Sequence, residues 1–119
     1  MAEKKFVTGA LLQNKEGNRA YLQYSYAAAF GGNNSNDIAV AWIDENGKVT
    51  NSSAWHRKGE FEVLDSDIKH NLNEIRKYNR RQGGAPIFMC AKLAMKLGFT
   101  SIHTYESARA GRKHGFIKL

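Results

Sequence analysis

The stretch Arg80-Arg81-Gln82-Gly83-Gly84-Ala85 joins two guanidinium groups to a glycine pair and runs directly into the apolar segment 86–97. A glycine loop that opens a helix exposes backbone N–H groups at the positive end of the helix dipole, where phosphate is readily held. The loop points to a phosphate-bearing partner, either a nucleotide cofactor or a nucleic acid.

Other residues with chemical potential are scattered. Glu106, His103 and His114 are candidate bases and Tyr105 a candidate acid, but no spacing singles one out. The four histidines, His56, His70, His103 and His114, show no ligand spacing, and the lone Cys90 can form neither a zinc knuckle nor an internal disulfide. Metal catalysis is therefore not expected. Neither a Gly-x-Ser-x-Gly elbow nor a Walker-type Lys-Ser/Thr after the glycines is present, so serine hydrolase and P-loop motifs are missing.

Charge is distributed unevenly. Residues 1–60 carry seven Lys/Arg against six Asp/Glu, whereas residues 61–119 carry eleven against five. From Arg76 onward there are ten basic residues and one acid, Glu106. This asymmetry points to a polyanionic partner, and its plain alternative is a solvated basic face.

These groups need a scaffold, and 119 residues with 42% hydrophobic content fit a single domain with one core spanning 1–119. The absence of a run of 18 apolar residues, and of an apolar signal-peptide core after Met1, leads us to expect a cytoplasmic protein with no membrane partner.

The first half reads as antiparallel sheet. Residues 6–13 and 19–29 flank the turn cluster Asn14-Lys15-Glu16-Gly17-Asn18 and should pair as a hairpin. Residues 37–43 and 48–55 flank Asn46-Gly47, a hairpin signal because both residues tolerate positive φ. Residues 60–64 read as a further strand.

The second half changes period. Asp65-Ser66-Asp67 offers N-caps, and Ile68, Leu72 and Ile75 fall at i, i+4 and i+7, which predicts a helix over about 66–78. Pro86 suits a first helical turn and Gly98 a C-terminal cap, which predicts a second, mostly buried helix over 86–97. Residues 100–105 read as a strand joining the sheet. The expected fold class is α+β: an N-terminal antiparallel sheet, two main helices and a C-terminal strand.

Arg80-x-x-Gly83-x-Ala85 resembles the Gln/Arg-x-x-Gly-x-Gly/Ala loop of the GNAT family of N-acetyltransferases. The likeness covers about the last forty residues, including Leu97-Gly98-Phe99, the strand after it, a short basic segment and the pair Gly115-Phe116. It implies acetyl-coenzyme A as cofactor. By that resemblance the N–H groups of Gln82, Gly83, Gly84 and Ala85 would cradle the pyrophosphate, and Arg80 and Arg81 would add charge. Acetyl transfer to an amine of a protein or nucleic acid would be the reaction.

The alternative is a basic module without catalysis. Arg76, Lys77, Arg80 and Arg81 flank the loop, and Arg109, Arg112, Lys113 and Lys118 form a second cluster; together they could follow a DNA or RNA backbone. Tyr21, Tyr24, Tyr26, Trp42 and Trp55 could stack bases if exposed, although aromatics in a small sheet are more often core. A third reading is an inhibitory interaction protein that docks its basic surface on an acidic protein, with residues 30–36 as a binding loop.

Overall fold

The computed structural model describes residues 6–25, 36–82, 87–88, 96–98, 102–106 and 113–117. Five strands, β1 (Leu11–Asn14), β2 (Arg19–Ser25), β3 (Asp37–Ile43), β4 (Val49–Arg57) and β5 (Phe61–Leu64), form an antiparallel sheet in the order β4-β3-β2-β1-β5. One helix, α1 (Ile68–Arg81), packs on one face.

The two hairpins are built alike. In Asn14-Lys15-Glu16-Gly17-Asn18, Asn14 Oδ1 accepts the N–H groups of Glu16 and Asn18 at 3.1 and 2.9 Å, and Gly17 takes φ +86°. In Asp44-Glu45-Asn46-Gly47-Lys48, Asp44 Oδ1 accepts from Asn46 and Lys48 at 2.8 and 3.0 Å, and Gly47 takes φ +80°. A side-chain oxygen organises each turn, and one glycine supplies its left-handed residue. Asn46 does not have positive φ, so the turn differs from the one expected, in which both Asn46 and Gly47 would.

The sheet is strongly curled. β4 and β5 lie at opposite edges, yet only the 3₁₀ turn Lys58–Glu60 connects them. The chain from Arg57 to Phe61 reaches at most about 14 Å, whereas four strand spacings in a flat sheet span about 19 Å. The edges must therefore approach one another, as in a partly open barrel. Its interior holds Leu12, Ala20, Leu22, Ile38 and Val40, each at most 1% exposed. At the rim, Trp42, His56 and Phe61 meet with ring centroids 5.8–6.0 Å apart.

Two bulges assist the curl, and both lie opposite Ala39. On β2 the register shifts between Leu22 and Tyr24, and on β4 Ser53 pairs Val40 while His56 pairs Ile38, so two residues face one. Each extra residue bends its strand and increases local twist.

The outer face receives α1. β3 alternates bulky Ile38, Val40 and Trp42 inward with Ala39, Ala41 and Ile43 outward, and the small outward residues let the helix approach closely. Ile68, Leu72 and Ile75 pack on Tyr21, Ala41 and Val49, as their spacing predicts. Asp67 caps the helix by accepting the His70 N–H at 3.3 Å. Gly9, at φ +93°, passes so close that a Cβ there would lie 2.9 Å from Ile68 Cγ2.

The C-terminal part departs from expectation. Among the described residues α1 is the one α-helix of more than a turn. Where the second helix was expected to begin, Ile87–Phe88 forms strand β6 and pairs with Ile117 and Phe116. β-branched and aromatic residue types favour extended backbone, and that preference outweighs the local signal of Pro86. Lys96 is helical and Gly98 takes φ +90° in the turn after it, while residues 89–95 lie outside the described residues. The strand expected at 100–105 is β7 (Ile102–Glu106), and it pairs with β8 (Lys113–Ile117). Together they form a second sheet in the order β6-β8-β7 rather than extending the first.

Candidate functional site

Because α1 turns Ile68, Leu72 and Ile75 inward, its period sends His70, Asn73 and Lys77 outward, with Lys69 and Arg80 exposed on one flank and Arg76 half-buried at its edge. His70, Asn73, Glu74, Arg76, Lys77 and Arg80 line one open hollow. Among the described residues that line it, Glu74 is the one acid, and its carboxylate pairs with Lys77 at 3.1 Å. The stripe offers cations and amide or imidazole donors at successive turns, a spacing suited to a row of anionic oxygens.

The four cations expected around the glycine loop divide in two. Arg76, Lys77 and Arg80 share the outward hollow. Arg81 turns back to the sheet, where its guanidinium donates to the Val49 carbonyl at 3.4 Å and lies 5.9 Å from the Tyr78 ring centroid. Arg80 and Arg81 occupy the last turn of α1, where positive charge complements the carbonyl end of the helix. The Gln82 N–H donates to the carbonyls of Tyr78 and Asn79 at 3.2 and 3.0 Å. Gly83, Gly84, Ala85, Arg109, Arg112 and Lys118 lie outside the described residues. Lys113 opens β8 opposite Glu106, and Tyr105 is the register partner of His114.

The aromatic candidates also separate. Tyr21 is 3% exposed and donates its hydroxyl to the Gly47 carbonyl at 2.7 Å, so it is a core residue that pins the β3–β4 turn. Burial first, then the carboxylates of Glu74 and Asp44, raise its pKa. Trp42 sits at the barrel rim. Trp55 is exposed, with Tyr24 edge-on to it at 5.5 Å, and burial raises the Tyr24 pKa. Tyr26 lies outside the described residues.

A second polar constellation, which the sequence spacing did not reveal, sits at the rim. Ser53 Oγ lies 2.8 Å from His56 Nε2, Trp42 Nε1 donates to the same Oγ at 2.9 Å, and His56 Nδ1 lies 3.4 Å from Glu60 Oε2. Residues three apart on a regular strand point to opposite faces. Ser53 and His56 share a face because the β4 bulge inserts one residue between them. No local sequence signal marks that bulge.

Among the described residues, no group of three or more His, Cys, Asp or Glu could hold a metal ion, and no helix is long and apolar enough to cross a membrane. No protein-family model, curated protein or solved structure matches the chain.

Proposed function

We propose that this chain binds a nucleic acid through the outward face of α1. The observation that carries the reading is the convergence of His70, Asn73, Arg76, Lys77 and Arg80 on one open hollow with a single, already paired acid. Lys69 extends the same stripe by one turn. The exposed Lys69, Lys77 and Arg80, with the half-buried Arg76 at their edge, match the charge of a phosphate backbone, and binding draws its free energy from released counterions. The excess of basic residues after Arg76 supports the same partner.

The acyl-coenzyme A reading is kept as a second proposal on the sequence of Arg80 to Ala85. Both involve phosphate, and one experiment separates them. Short single-stranded DNA or RNA is titrated by fluorescence anisotropy at two salt concentrations, and acetyl-coenzyme A by calorimetry. Four phosphate contacts predict a log–log salt slope of about −3 on single strands. Oligonucleotide affinity without that salt dependence, or no oligonucleotide affinity at all, overturns the first reading. Acetyl-coenzyme A binding that a Gly83→Glu variant abolishes supports the second. If neither ligand binds, an acidic protein surface is the partner to test.

A further inference from the structure

We propose that Ser53, His56 and Glu60 form a nucleophile, base and orienting carboxylate, and that Ser53 accepts acyl groups from small activated carboxylic esters. This site is separate from α1: Ser53 and His56 pair the inward residues Val40 and Ile38, Glu60 lies in the 3₁₀ turn after β4, and α1 covers the outer face of the sheet.

The donors and acceptors around Ser53 and His56 are those a proton relay needs. An indole N–H only donates, so Trp42 occupies a lone pair of Ser53 Oγ at 2.9 Å and leaves the hydroxyl hydrogen to point elsewhere. His56 Nε2, at 2.8 Å, is the acceptor in reach. Glu60 Oε2 lies 3.4 Å from Nδ1, an ion-pair contact rather than a hydrogen bond, and a carboxylate on that side favours by its charge the tautomer with hydrogen on Nδ1. The imidazole thus presents a bare Nε2 to the serine. This is the arrangement in which a histidine can take the proton of an attacking hydroxyl while a carboxylate stabilises the resulting imidazolium.

The ring is also fixed in place. Trp42 and Phe61 meet it edge-on, at interplanar angles of 89° and 82° and centroid distances of 5.8 Å each. The bulge puts Ser53 on the same side of β4 as His56, and the 3₁₀ turn brings Glu60 back to the Nδ1 edge of the ring at i+4. Bulges recur beside active sites for this reason: they re-aim one side chain without unpairing the strand. His56 keeps a side-chain exposure of 26% and Glu60 of 55%, so a small substrate can approach from solvent. The half-buried Trp42 ring beside them favours an apolar acyl or aryl group.

In the reaction, Ser53 Oγ bonds to the ester carbonyl carbon as its proton passes to His56 Nε2. The bond to the leaving oxygen then breaks, and that oxygen takes the proton from Nε2. Water repeats the sequence on the acyl-serine, losing a proton to Nε2 and releasing the acid and free Ser53. Ester and water become acid and alcohol, with no other reactant.

The test is labelling of the full chain with a fluorophosphonate probe, read by intact mass and by peptide mapping, alongside turnover of p-nitrophenyl acetate. We expect one adduct, on Ser53, formed with loss of fluoride. Its formation should slow about 100-fold in His56→Gln, the scale of general-base assistance, and more mildly in Glu60→Gln. Circular dichroism checks that both variants fold. Mapping the adduct on the unaltered chain identifies the residue even if Ser53→Ala does not fold. No adduct, an adduct on another residue, or a labelling rate unchanged in folded His56→Gln overturns the proposal.

Discussion

The side-chain amide of Asn71 donates to the Gly9 carbonyl at 2.8 Å across 62 residues of sequence and, through the same nitrogen, to Ser66 Oγ at 2.9 Å. Asn71 is 3% exposed, so it is a polar residue placed inside the helix–sheet interface. It fixes the segment before β1 against the first turns of α1. We predict that Asn71→Ala destabilises the protein by about 2 kcal/mol, because it strands a buried carbonyl as well as removing two bonds. Urea unfolding followed by tryptophan fluorescence measures this. A loss within experimental error of zero would show that water replaces the amide.

The same contact makes Gly9 and Gly17 an informative pair. Both have positive φ, but a Cβ at Gly9 meets Ile68 and Leu72 within 3.0 Å, whereas a Cβ at Gly17 meets nothing within 4 Å. Gly17→Ala should cost about 1–2 kcal/mol of backbone strain alone. Gly9→Ala should cost more, on the order of 3 kcal/mol, since overpacking adds to strain. Equal unfolding midpoints would contradict the close approach of this segment to α1.

Tyr21 gives the protein an alkaline limit. Its pKa is raised above 10.0 by burial, and further by Glu74 and Asp44, so the folded state holds the phenolic proton more tightly than the unfolded chain. Stability from this group is complete below about pH 10 and falls as pH rises through the folded value, because the unfolded state then binds fewer protons. Melting temperatures should therefore decline above pH 10. In Tyr21→Phe the decline should be shallower, starting from a neutral-pH stability lower by about 1 kcal/mol for the lost bond to Gly47. A Tyr21→Phe profile parallel to that of the unaltered protein would refute the assignment.

The cations that line the hollow and Arg81, which reaches the sheet, should behave differently. Each of Lys77→Ala and Arg80→Ala should weaken oligonucleotide binding at all sequences and reduce the salt slope by about 1. Arg81→Ala, which removes a contact to the Val49 carbonyl, should leave that slope unchanged and lower stability by less than about 1 kcal/mol. A loss of slope in Arg81→Ala equal to that in Arg80→Ala would falsify the division of the cluster.

What could be read from sequence was what neighbours in sequence decide. The Asn14 and Asp44 turns, the Asp67 cap and the inward row Ile68, Leu72, Ile75 each depend on residues within one or two turns of each other. Ile87 and Phe88 depend on Ile117 and Phe116, some thirty residues away, and there the local signal of Pro86 misled. The basic stripe was legible as composition, but which arginine lines the hollow and which reaches Val49 required the helix phase and the position of β4. The Ser53–His56 contact was not legible at all, since it exists only because β4 is bulged.

β4 is also nine residues long and lies at the edge of its sheet. A flat strand of that length would offer a regular row of N–H and C=O groups to any other extended chain. Its register is broken twice against β3, near Ile38/Val40 and again at Trp42/Ile43. A passing strand could therefore match only short runs before the spacing failed. The irregularity that brings a serine to a histidine thus also protects the rolled sheet from adding further chains and growing into a fibril.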